Sequence, residues 1–116
     1  MENTTIDTII EYFQKCTAER IPLSPSLYLE AGAKINVLKG AEYDKLFELE
    51  QQCSQMESAY LEQDMTSARA KTFVKSSPVW LAYKKQSARI KQIEDFILLS
   101  KKFASLKMEE MKNNLE

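Results

Sequence analysis

The sequence predicts an all-α protein: an elongated, antiparallel hairpin of two long coiled-coil-like helices, with one short helix before them and another connecting them. Three observations lead there. Only two glycines and three prolines interrupt 116 residues. Glu, Lys, Ala and Gln run throughout, and these side chains lose little rotamer freedom in a helix. A Ser-Pro pair, at Ser24-Pro25 and again at Ser77-Pro78, precedes each long apolar-periodic stretch. Serine caps the first free backbone N–H groups, and proline suits the first helical position because its missing N–H would be unpaired there anyway. A single domain, 1–116, has the length for a modest core.

The first short helix is expected over 4–20. Ile6, Ile9, Ile10 and Phe13 fall at i, i+3, i+4 and i+7, one stripe of an amphipathic helix. Thr4 or Thr5 can cap it, Asp7 favours its first turn, and the prolines of "RIPLSPS" end it. The first long helix follows over 25–63. Its apolar line runs through Tyr28, Ala31, Ile35 and Leu38, then Leu46, Leu49, Cys53, Met56 and Tyr60, in the alternating three- and four-residue steps of a coiled coil. Between Leu38 and Leu46 the register slips, through Glu42, as a stutter. Gly32 and Gly40 weaken this helix without stopping it. At roughly 38 residues it spans about 57 Å.

The connector, 66–76, is a short helix capped by Thr66 and carrying Ala68, Phe73 and Val74. The last helix covers 78–112, and the "KNNLE" tail is expected to fray. Its apolar surface has two lines. One holds Val79, Tyr83, Ile90, Ile93, Ile97 and Ala104; the other holds Phe96, Leu99, Phe103 and Leu106. A single antiparallel partner covers one line only, so the second needs the N-terminal helix or another subunit. Self-association into an oligomeric bundle is the expectation, with Phe96, Leu99, Phe103 and Leu106 at the protein interface.

Composition narrows the chemistry. Histidine is absent, which removes the commonest general base and metal ligand, and every Ser-His or Cys-His nucleophile. The two glycines are isolated, so no phosphate-cradling loop forms from them. No Asp-rich loop or Glu-x-x-His pair offers a metal site. A non-enzymatic protein without a cofactor is expected. Cys16 and Cys53 read as small buried hydrophobes. No apolar run reaches membrane-spanning length, and the acidic N-terminal stretch is unlike a signal peptide, so a cytoplasmic protein with no membrane partner is expected.

The net charge of −1 hides a strong imbalance. Residues 1–64 hold five Lys or Arg against twelve Asp or Glu, whereas residues 65–116 hold eleven against five. Three readings are open. The basic half complements the acidic half within one chain, as flanking charges do in coiled coils. It complements a second subunit. Or it forms a polyanion site, with phosphates on the cations and bases on interleaved rings. Rotation at 100° per residue puts Lys84 and Lys91 together and Lys85 with Arg89, but the two pairs far apart, so the basic surface is broad. The polyanion candidates are Arg69, Lys71, Lys75, Trp80, Lys84, Lys85 and Arg89, with Phe73 and Tyr83 as further aromatics.

The order of features, from "SPSLYLEAGAKINVLKGAEYDKLFELEQQ" and "YLEQ" through a basic connector to "SSPVWLAYKKQSARIKQIEDFILLSKKFA", resembles small helical proteins of tailed phages. Among functional families it is similar to the UvsY-like recombination mediators. The similarity covers about residues 24–110: a Leu-x-x-Glu-Ala opening at Leu27, Glu30 and Ala31, Tyr60 at the end of the first long helix, and a serine-led second one. It implies an oligomeric helical assembly that binds single-stranded DNA and helps load a recombinase while displacing the single-strand-binding protein. The family's basic Lys-Ala-Arg patch has its loose counterpart in "SARAK", with Arg69 and Lys71 as the matching charges. The alternative expectation is a structural or adaptor coiled coil, or an inhibitor of a host protein, acting through the second apolar line of the last helix and a protein partner.

Overall fold

The computed structural model describes residues 5–115 and is all-α over them, with four helices: α1 (Ile6–Ala18), α2 (Pro25–Glu62), α3 (Ser67–Lys75) and α4 (Pro78–Leu115). Thr4, the other candidate cap, and Glu116 of the tail lie outside the described residues. α4 stays helical to Leu115, past the expected end at 112, in a stretch with no proline or glycine to stop it.

The helix starts follow from side-chain oxygens. Thr5 Oγ1 accepts from the Thr8 N–H at 3.1 Å, Thr66 Oγ1 from the Arg69 N–H at 3.2 Å, and Ser77 Oγ from the Trp80 N–H at 3.2 Å. Ser24 Oγ reaches the Leu27 N–H at a longer 3.4 Å. The helix ends were less visible in the sequence. α1 and α2 both close through a residue in the left-handed region, Arg20 at φ 54° and Asp64 at φ 63°. The following N–H then turns back, Ile21 to the Cys16 carbonyl at 2.8 Å and Met65 to the Tyr60 carbonyl at 3.4 Å. This is the geometry that glycine usually serves.

The chain forms two compact units, and α2 and α4 each contribute a segment to both. The first comprises the residues through Gly40 and those from Gln92 onward. Its core joins Ile6, Ile9, Ile10, Phe13 and Cys16 of α1 to Leu23, to Ala31 and Ile35 of α2, and to Ile93 and Ile97 of α4. Phe13 sits among rings, with its centroid 5.2 Å from Tyr28 and 5.5 Å, edge-on, from Phe96. Edge-on and tilted ring pairs of this kind add to the energy of apolar burial. Ile35 has no exposed surface.

The second unit, Ala41–Lys91, has fewer buried side chains: Cys53 from α2, Ala70 and Val74 from α3, and Ile90 from α4. Glu42 is buried beside them. The stutter therefore falls on a polar residue: Glu42 is turned inward while Leu38, which the periodicity assigns to the apolar line, is exposed.

Candidate nucleic-acid interface

Between residues 65 and 91 the chain carries seven Lys or Arg and no Asp or Glu. All of that stretch belongs to the second unit, which it enters as α3 and the first turns of α4. Its apolar residues decide where the charges go. Ala70 and Val74, four residues apart, turn one face of α3 inward. Lys71 and Lys75, also four apart, flank that face on one side, and Arg69 and Phe73 flank it on the other. On α4, Trp80, Lys84 and Lys91 share one side, while Lys85 lies across the helix from them.

The alternative of internal charge pairing has a clear geometric test. In the second unit the Glu42 carboxylate of α2 meets α4. Its Oε1 accepts from Arg89 Nε at 2.8 Å and from Gln86 Nε2 at 2.9 Å, and its Oε2 lies 3.4 Å from Arg89 Nη2. Gln86 Nε2 also donates to the Glu42 carbonyl at 2.9 Å. Hydrogen bonding to Arg89 holds the Glu42 carboxyl below the ordinary carboxylate range, against an upward push from burial, with Gln86 and the charge of Lys45 helping. Arg89 therefore belongs with the pairing charges. In the first unit Lys39 Nζ pairs similarly with Glu94, at 3.2 Å.

The other candidates stand differently. Arg69, Lys71, Lys75, Lys84, Lys85 and Lys91 are exposed, and among the described residues no carboxylate lies within ion-pair distance of any of them. Two of the cations lie over rings instead: the Arg69 guanidinium is 5.6 Å from the Phe73 centroid, and Lys84 Nζ is 5.6 Å from that of Trp80. Trp80 is half-buried, 5.3 Å from the ring of Tyr83. Phe73 pairs with Tyr60 of α2 at 5.5 Å. Lys91 and Tyr60 were not among the sequence candidates. The absence of any carboxylate between 65 and 91 points to Lys91, whereas nothing in the sequence links Tyr60 to Phe73.

The second apolar line of α4 divides. Phe96 packs on the core of the first unit against Phe13, so α1 covers that end of it. Phe103 touches Tyr28, with centroids 5.7 Å apart, yet stays 45 % exposed. Leu99 and Leu106 are exposed to a similar extent, and Leu98 beside them more so.

Among the described residues no cluster of three or more ligating side chains gathers, and no helix is long and apolar enough to cross a membrane. Both cysteines are buried free thiols. An open, largely apolar groove in the first unit is lined by Tyr28, Gly32, Asn36, Ile97 and Lys101. The chain matches no protein-family model, no curated protein and no solved structure, so the reading of this surface rests on its own residues.

Proposed function

We propose that the protein is a non-enzymatic accessory factor that binds single-stranded nucleic acid, acting in recombination or replication as the layout of a phage mediator implies. Arg69, Lys71, Lys75, Lys84 and Lys85 take the phosphates, and Trp80 offers a ring beside them. One observation carries this reading: the basic side chains of α3 and early α4 are exposed and without carboxylate partners among the described residues, although an acidic segment of α2 belongs to the same unit. Charges meant only to pair helices would be met by carboxylates, as Arg89 is by Glu42. A surface left unneutralised attracts polyanions whatever the net charge of the chain. The test is fluorescence anisotropy of a labelled single-stranded oligonucleotide at low and moderate salt. Binding should be tight at low salt and fall steeply as salt rises; no binding at either salt ends the reading.

A second reading concerns partners, and the exposed line of Leu98, Leu99, Phe103 and Leu106 on α4 favours it. Two copies of the chain covering this line from each other would give a homo-oligomer. Phe103→Asp should then lower the mass found by sedimentation, and an unchanged mass would remove this face as the interface. An adaptor role through the same face would need a different protein partner.

A further inference from the structure

The second unit holds two constellations built to one plan. In the first, Tyr60 and Phe73 lie with centroids 5.5 Å apart and a tilt of 37°, and the Arg69 guanidinium stands 5.6 Å from Phe73. In the second, Tyr83 and Trp80 lie 5.3 Å apart with a tilt of 39°, and the Lys84 ammonium stands 5.6 Å from Trp80. Each cation is four residues from the ring it covers, Arg69 to Phe73 and Trp80 to Lys84, so the helix itself sets the spacing. The ring in each case lies against a second aromatic, and the cation over it belongs to an exposed residue, Arg69 or Lys84. Phe73 is 41 % exposed, so part of its ring is reachable from solvent.

We infer that Phe73 and Trp80 are two stacking stations for the bases of a single strand, with Arg69 and Lys84 swinging from the rings to the flanking phosphates when bases arrive. This rests on the nucleic-acid reading above and adds what that reading leaves open: how the surface tells a single strand from a duplex. The cations over the rings mark faces that are electron-rich and reachable. A base is a flat π-system that takes the place of the cation, and the released cation meets a phosphate of the same nucleotide chain. A duplex keeps its bases stacked on each other and offers these rings nothing. A single strand of either sugar has free faces, so the shared ligand is an unpaired run of nucleotides.

Trp80 is the only tryptophan, so its emission reports on one station without any substitution. The experiment titrates the full chain with a deoxyuridine oligonucleotide, a uridine oligonucleotide and a DNA duplex, reading Trp80 emission and anisotropy of a label together. Phe73→Leu and Trp80→Leu are then titrated across salt, with circular dichroism as the check on folding. Both single strands should quench Trp80 and the duplex should not. Phe73→Leu should weaken single-strand binding about tenfold with an unchanged salt slope, because a ring carries no counterions. Single-strand binding without quenching, and with Phe73→Leu equal to the parent, overturns the stacking stations and leaves the polyanion surface standing. Equal binding of duplex and single strand overturns them as well. Absence of any binding overturns the nucleic-acid reading itself. Preference for one sugar over the other identifies the strand as DNA or RNA and supports the stations when quenching accompanies it.

Discussion

Arg89 Nε lies 2.8 Å from Glu42 Oε1, joining α4 to α2 through a carboxylate that is only 12 % exposed. The pair occupies the place where the apolar period of α2 slips. A buried carboxylate is stabilising only while it is charged and met, and Arg89 and Gln86 meet it together. Glu42→Gln should cost about 1–3 kcal/mol at pH 7, read from urea unfolding. Because the folded-state carboxyl is held below its ordinary value, its contribution is present above the unfolded carboxylate pKa and is lost as pH falls through the lowered folded one. The gap between the parent and Glu42→Gln should therefore be widest near neutrality and close in acid. A gap that does not change with pH would show that the charge on Glu42 contributes nothing.

The Lys39–Glu94 pair gives the contrast. Both side chains are about one-third exposed, so solvent screens them. Lys39→Ala should change stability by about 0.5 kcal/mol or less, whereas Ile35→Ala, at a site with no exposure, should cost about 2–4 kcal/mol. Thermal melts of the two variants side by side would check the order.

The glycine-free helix ends lead to a stabilising substitution. Arg20 holds a left-handed conformation that costs an L-residue about 1 kcal/mol and glycine almost nothing. Arg20→Gly should raise stability by up to about 1 kcal/mol, and Asp64→Gly by less, since aspartate tolerates this region better. Gly40→Ala should act in the same direction by about 0.5–1 kcal/mol, because a Cβ there meets open space inside a helix. Loss of stability in Arg20→Gly would mean that its side chain contributes more than its backbone costs.

Ser77 does two jobs at the entry to α4. It accepts from the Trp80 N–H and donates to the Val74 carbonyl at 2.6 Å, tying the last turn of α3 to the first turn of α4. Ser77→Ala should cost about 1 kcal/mol and increase the solvent exposure of Trp80, seen as a red shift of its emission. An unshifted emission with the same loss of stability would confine the role of Ser77 to capping.

Burial pushes the Cys53 thiol up, with Glu50 adding to it. The thiolate is the reactive form, so a disulfide reagent at pH 7 should modify Cys53 far more slowly in the folded chain than in urea. Equal rates would mean that the second unit opens readily in the native state.

Much of the fold was legible because it depends on local chemistry. The stripe of Ile6, Ile9, Ile10 and Phe13 is buried as its spacing requires, and the caps Thr5, Thr66 and Ser77 bond where their residue types place them. The ends of α1 and α2 were not legible in the same way. Proline marks only the outer limit of α1, and the left-handed residues that close both helices are an arginine and an aspartate, where the usual signal is glycine. Of the candidate surface, the sequence carried the run of cations without carboxylates. It could not divide them, because Arg89 and Lys85 lie on the same side of one helix and only the position of Glu42 on another separates them.

By itself, then, the sequence determined the four helices, their starting points and the sign of the charge each one carries, since these follow from propensity, capping and period within a few turns of chain. The tertiary structure decided which polar residue occupies the stutter, which cations are neutralised, and which rings meet: Glu42 with Arg89, Phe73 with Tyr60 and Phe13 with Phe96. Those pairings bring together residues far apart in the chain, where no periodicity within a helix carries information about the partner.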